Sequence, residues 1–350
     1  MTSEAPVVVL DYHDLVQRAD HLPAEIQKAW GPDGIGLVAV QNVPDFLTTR
    51  DAFFRFAHTL AHLPSDYLED HLSDSKSLYN AGWSYGKEKL KDDKPDTSKG
   101  SFYFHPRTDQ PGSPEDRAKY PLSYPDNVWP DEEKFKELQG FKEAGQKLGQ
   151  LLTDVALLLS PLVGLEETLH ETDKVKARLL YYYPTDNAQS EDSWIGWHND
   201  SGFLTALAGD WYVNDTTGDK LDQSPDPQAG LYVTTRSGQV HKVKVPPGCM
   251  AVQLGEGTQI VSGGAVQATP HCVKGAASST TARISLACFV DPKPNFELKP
   301  MVEGCTREQV LQASVDTDKV PPLGPRWESN EQTFGAFLQK TFALYYDWKQ

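Results

Sequence analysis

Cysteine is scarce in this 350-residue sequence: Cys249, Cys272, Cys288 and Cys305 are the only four, with no C-x-x-C pair among them. Four are too few to staple a chain of this length, so they are expected to be reduced and mostly buried. Runs of lysine or arginine are missing, and the formal net charge is −16. That balance argues against nucleic acid or an anionic membrane as partner, and the spread of the acids reads as solubility. No apolar run is long enough to span a bilayer, and no apolar leader stands at the N-terminus. The expectation is a soluble cytoplasmic protein. Sequence repeats and heptads are absent too.

What is present divides at about residue 170. Before it, residues 7–10 and 35–40 are rich in β-branched side chains and read as strands. Residues 23–30, 49–63 and 135–159 read as helices; the last carries Phe141, Leu148, Leu152, Val155 and Leu159 mainly at three- and four-residue spacings after a plausible cap at Asp131. Residues 84–131 read as a long loop interrupted at 101–104, where Phe102, Tyr103 and Phe104 are expected chiefly to anchor it. From Leu179 onward short strands alternate with glycine-marked turns: 179–183, 194–198, 203–208, 230–235, 239–245, 249–254, 265–273 and 282–290. About eight short antiparallel strands imply a sandwich or jelly roll. Residues 214–228 read as a polar surface insertion. Ser329 to Gln332 resembles a capping box before a helix carrying Phe334, Phe337, Leu338, Phe342 and Tyr345. The three segments, 1–170, 171–300 and 301–350, are expected to share one core.

The chemistry gathers around Trp197-His198-Asn199-Asp200. Residues i and i+2 of a strand share a face, so His198 and Asp200 can converge on one point. His271 would complete a two-His-one-carboxylate set, which leaves other positions of a metal open and suits non-haem Fe(II). The ordinary alternative is a surface turn over Asn199 to Gly202. His241 competes for the third position, but it sits in an alternating strand with no Arg-x-Ser following. Twelve residues past His271 come Arg283 and Ser285, again i and i+2. A guanidinium fork with a hydroxyl beside it suits a carboxylate, and a buried arginine without one is costly. Trp197 and Phe203 flank the ligands and line either substrate space or core. Cys272 should point away from the metal.

These pieces, with Tyr182-Tyr183-Pro184, His198-Asn199-Asp200-Ser201-Gly202, Gly230-Leu231-Tyr232-Val233, Val245-Pro246-Pro247-Gly248, Thr269-Pro270-His271 and Arg283-Ile284-Ser285, resemble the Fe(II)/2-oxoglutarate-dependent dioxygenases, in the branch with isopenicillin N synthase. The resemblance implies a mainly β fold: a double-stranded β-helix, or jelly roll, braced by N- and C-terminal helices. It implies Fe(II) on His198, Asp200 and His271. It implies 2-oxoglutarate on Arg283, Ser285 and Tyr183, O₂ as co-substrate, and release of succinate and CO₂, with hydroxylation the commonest outcome. Tyr181 stands where relatives commonly have Asn, so Tyr181, Trp197, Phe203 and Tyr103 become candidates for the substrate wall. Two other readings remain open at this point. One is an oxidase of the same fold that uses no 2-oxoglutarate, as isopenicillin N synthase does. The other is a non-catalytic metabolite-binding protein.

Overall fold

The computed structural model describes residues 3–88, 94–170, 172–185, 194–315 and 317–344. Fourteen strands form among them: β1 (Ser3–Ala5), β2 (Val8–Asp11), β3 (Leu37–Gln41), β4 (Gly82–Tyr85), β5 (Lys99–Phe104), β6 (Lys174–Tyr182), β7 (Ile195–His198), β8 (Leu204–Asn214), β9 (Lys220–Leu221), β10 (Gly230–Thr234), β11 (Val240–Val243), β12 (Met250–Leu254), β13 (His271–Lys274) and β14 (Thr281–Asp291). The larger sheet runs β2-β3-β12-β8-β14-β6-β5-β4, with β9 on β8; the smaller runs β1-β11-β10-β13-β7. Two apolar clusters draw on both sheets, one joining Leu37 and Ala251 to Val233 and Val243, the other joining Leu180 and Tyr212 to Val273. The sheets therefore pack face to face as a jelly roll, with flanking helices.

Alternation decides what each strand offers to either side. In β6, Val175, Ala177, Leu179 and Tyr181 point outward into the main core, while Lys174, Lys176, Arg178, Leu180 and Tyr182 line the space between the sheets. In β5, Phe102 and Phe104 take the outer face and Lys99, Ser101 and Tyr103 the inner one. Helices cover that outer face. The longest, Phe141–Leu159, buries Phe141, Leu148, Leu152, Val155 and Leu159, and Phe141 packs on Phe53 of the helix Phe46–Phe54 with ring centroids 5.1 Å apart. The main core runs from Leu10 to Leu338 and takes residues from all three segments of the chain.

Several elements differ from the sequence expectation, each for a local reason. The long helix starts at Phe141, after Gly140 at φ 88°. The Glu132 carboxylate, rather than Asp131, accepts from the Gly140 and Lys142 amides at 2.8 and 3.0 Å. Residues 49–63 are two helices, Phe46–Phe54 and Ala57–Ala61. The stretch 84–131 carries a six-residue strand and the helix Pro114–Lys119, capped by Ser113. Residues 265–273 are not one strand: Pro270 offers no amide to a ladder, and only His271 onward pairs. The capping box stands at Thr306 and Gln309, ahead of Arg307–Ala313. Thr333, not Ser329, caps the last helix, Phe334–Phe342. Tyr345 lies outside the described residues.

Candidate metal and co-substrate site

The two sheets enclose a cavity of about 1950 Å³. His198 ends β7 and His271 opens β13, and the two are cross-strand partners with ring centroids 4.2 Å apart. Asp200 follows in the turn, so the strand itself supplies only one of the pair predicted to share its face. The ligand atoms of His198, Asp200 and His271 nevertheless lie within 4.8 Å of one another, the only such group of His, Cys, Asp or Glu found among the described residues. His241 shares their row through Val233 but stands two strand spacings, roughly 10 Å, from His271.

The neighbours orient all three. His198 Nδ1 donates to the Gly196 carbonyl at 2.8 Å and His271 Nδ1 to the Thr269 carbonyl at 3.0 Å. Each ring is thereby fixed in the tautomer whose Nε2 carries the lone pair, and at His271 that lone pair accepts from the Gln253 amide at 3.1 Å. Thr205 Oγ1 and Gln253 Nε2 both donate to Asp200 Oδ2, at 2.6 and 2.5 Å, which leaves Oδ1 turned toward the imidazoles, 3.9 Å from His271 Nε2. Burial, reinforced by His271, pushes the His198 pKa down to about 4, so at neutral pH no proton competes for its lone pair. Burial works against ionising Asp200, but the two imidazoles and the hydrogen bonds from Thr205 and Gln253 outweigh it and hold its pKa below the usual carboxylate value. Two neutral nitrogens and one carboxylate oxygen are a donor set for a divalent transition metal.

Two supports of this group are testable by substitution. Gly36 has φ +76°, and a Cβ there would meet Thr269 Oγ1 at 2.0 Å. Gly36→Ala is expected to cost about 1–3 kcal/mol, read as a lower denaturant midpoint, and to weaken metal binding because Thr269 orients His271. The second support lies under the turn between the ligands. Asn199 Nδ2 donates to Glu256 Oε1 at 3.1 Å, and the Glu256 amide donates to the Asp200 carbonyl at 2.7 Å. Glu256 is itself clasped by both Nη atoms of Arg326 at 2.5 and 2.6 Å, in a pair almost wholly buried. Arg326→Met leaves that carboxylate uncompensated and is expected to cost about 3–5 kcal/mol. The double variant with Glu256→Gln should recover part of the loss in the same urea titration.

Arg283 faces the same cavity from β14, paired with Tyr182 on β6 and Tyr212 on β8. Its Nε donates to Asp210 Oδ2 at 2.9 Å, so a protein carboxylate takes one edge of the fork. Burial opposes its charge, but Asp210, Tyr182 and Tyr212 outweigh that and raise its pKa. Its Nη1 is buried with no hydrogen-bond partner. A buried donor left open beside a cavity fits an incoming carboxylate oxygen. Ser285, also buried, lines the cavity on the same face.

The aromatic candidates divide by parity. Tyr103 lines the cavity. Tyr181 and Tyr183 do not: Tyr181 donates to Asp215 Oδ1 at 2.7 Å and packs on His62, and Tyr183 donates to the Ala61 carbonyl at 3.2 Å. The tyrosine beside Arg283 is Tyr182, with the guanidinium carbon 5.1 Å from its ring centroid. Phe203 is fully buried against Phe296 and Phe334, in core rather than substrate space. Trp197 reaches the cavity rim, yet packs mainly with Tyr232 and Cys272 on the far side of the smaller sheet, under the Lys319 ammonium. Cys272 thus points away from the metal ligands. All four cysteines are free, three of them buried.

A jelly roll with an imidazole–imidazole–carboxylate group inside it is an arrangement that non-haem Fe(II) oxygenases use. Residues 175–292 match the family model described as the 2OG-Fe(II) oxygenase superfamily. Scopoletin 8-hydroxylase of Arabidopsis thaliana is 25% identical over 166 residues, 47% of this chain and 42% of that one. The chain thus spans less than half the length of the curated relatives it matches first. Among solved structures, an oxygenase of the same superfamily from Caulobacter crescentus has a TM-score of 0.66 at 20% identity, covering 97% of this chain and 99% of that one. A full-length Neurospora crassa protein solved in complex with alpha-KG has a TM-score of 0.67 at 19% identity, covering 96% of each chain. At those identities the likeness shows the fold.

Proposed function

We propose that the chain is an Fe(II)- and 2-oxoglutarate-dependent oxygenase that oxidises a small molecule, by hydroxylation, with release of succinate and CO₂. The observation that carries this reading is one cavity holding both the His198, Asp200 and His271 group and a buried guanidinium whose Nη1 has no partner. Bound iron would supply activation of O₂ coupled to decarboxylation of the keto acid. The chain's own part is positional. His198, Asp200 and His271 hold the metal on one face. Arg283 Nη1 and the Ser285 hydroxyl take the distal carboxylate of the co-substrate, with Tyr182 in the place expected of Tyr183. Tyr103 and the inner face of β6 bound the substrate, and the facing sheets keep water out. No helix among the described residues is long and apolar enough to cross a membrane. The free cysteines and the net charge of −16 support a cytoplasmic enzyme without a nucleic-acid partner.

One observation favours the second enzymatic reading. Asp210 already satisfies one edge of Arg283, as it would if no co-substrate carboxylate ever came. Titrating the anaerobic Fe(II) protein with 2-oxoglutarate separates the two. A weak metal-to-ligand charge-transfer band, followed under O₂ by succinate, is the expected result. Bound iron with neither band nor succinate would sink the proposal.

A further inference from the structure

Strand β6 offers the cavity more than Tyr182. Its inward residues include three cations, Lys174, Lys176 and Arg178. Lys174 lies 3.2 Å from the Asp291 carboxylate. Arg178 donates to Glu88 at 2.5 Å and, through Nε, to Ser101 at 3.0 Å. On the adjoining strand β5, Lys99 is paired with Asp96 and Glu88. Lys176 differs from all of these. Its ammonium donates to Asn80 Oδ1 at 3.2 Å and stands 5.9 Å from the Tyr103 ring centroid, and no carboxylate among the described residues pairs with it. Burial, with Lys174 and Arg178 on either side, pushes its pKa down to about 7 against the opposing pull of the Asp291 carboxylate. A cation set in a cavity wall with no carboxylate paired directly to it is costly, and an incoming anion lowers that cost.

Register places this group relative to the metal ligands. Lys176 pairs with Phe289 on β14, and Phe289 with Thr205 on β8, the residue whose hydroxyl holds Asp200. Two strand spacings, roughly 10 Å, separate Lys176 from Thr205 across the sheet. The ammonium therefore stands level with the metal site, whereas Arg283 lies at the other end of β14. A molecule of several carbons fits between ammonium and metal. The net charge of −16 gives no long-range attraction for an anion, so recognition has to come from such a local cation.

We propose that Lys176 is the acid-recognising residue of the substrate pocket, and that the molecule oxidised here is a small organic acid whose carboxylate pairs with that ammonium while its reacting C–H bond lies over His198, Asp200 and His271. The assignment rests on the oxygenase reading above. It names the substrate class, with Asn80 and Tyr103 bounding the same subsite.

The test uses the full chain, loaded anaerobically with Fe(II) and 2-oxoglutarate, with loading checked by the charge-transfer band before any acid is added. Calorimetry then measures binding of 4-hydroxyphenylacetate, cinnamate and octanoate, each beside its methyl ester. At least one acid should bind, its ester at least about tenfold more weakly. Lys176→Met should erase the difference between acid and ester, and Lys176→Arg should keep it. Equal binding of acid and ester, unaltered acid affinity in Lys176→Met, or no binding by any of the three acids overturns the assignment. A missing charge-transfer band in the wild type points instead to failure of the oxygenase reading itself.

Discussion

His271→Ala is expected to lose stoichiometric Fe(II) binding and to lower succinate formation by well over the roughly 10- to 100-fold that loss of an outer-sphere partner costs. The alanine removes one of only three donors, and Gln253, whose amide lies 3.1 Å from His271 Nε2, offers no comparable ligand. Folding should survive, because the imidazole borders the cavity rather than the apolar clusters. Iron content after anaerobic loading and the urea midpoint are the two measurements, with His241→Ala as the control. His241 lies in the same cross-strand row but two strands away, so its replacement should leave iron content unchanged. If the control loses iron and His271→Ala keeps it, the donor set has been misassigned.

The convergence of these three side chains was legible because a metal-binding set would leave a local signature: His-x-Asp, then a histidine, then Arg-x-Ser. The sequence carried the aromatic wall poorly. Three consecutive tyrosines say nothing by themselves about which faces inward. The signal lay a few residues earlier, where Lys174, Lys176 and Arg178 alternate with Val175, Ala177 and Leu179. Extending that parity puts Tyr182 inside and Tyr181 and Tyr183 outside, as the cross-strand pairing of Tyr182 with Arg283 shows. Asp210, Gln253 and Glu256 had no such signal. Each acts through a partner distant in sequence, and a single polar residue in a strand or turn does not announce what will stand opposite. The jelly roll was legible from the short glycine-punctuated strands. The extra strands β4 and β9 and the break in the helix after Phe54 were not, since contacts made with the rest of the fold override weak local propensity.

Arg283→Leu is the variant that tests where the distal carboxylate of 2-oxoglutarate is held. Leucine fills much of the same volume in a strand covered on both faces, and it removes a buried donor that the cavity leaves open. If Arg283 Nη1 takes the distal carboxylate, its loss should weaken 2-oxoglutarate binding by about 2–5 kcal/mol, at least roughly 30-fold, read from the charge-transfer band in an anaerobic titration. Iron content should not change, because none of the three ligands touches the guanidinium. Asp210 loses its partner at the same time, but it is more than one-third exposed and can be hydrated, so the destabilisation should stay modest. Asp210→Asn sharpens the test. It removes the anion now beside the fork, so 2-oxoglutarate affinity should hold or rise, whereas an arginine serving only as half of a structural pair would leave co-substrate affinity indifferent to both substitutions. An unchanged titration in Arg283→Leu would move the carboxylate site elsewhere in the cavity and leave the Arg283–Asp210 pair as architecture.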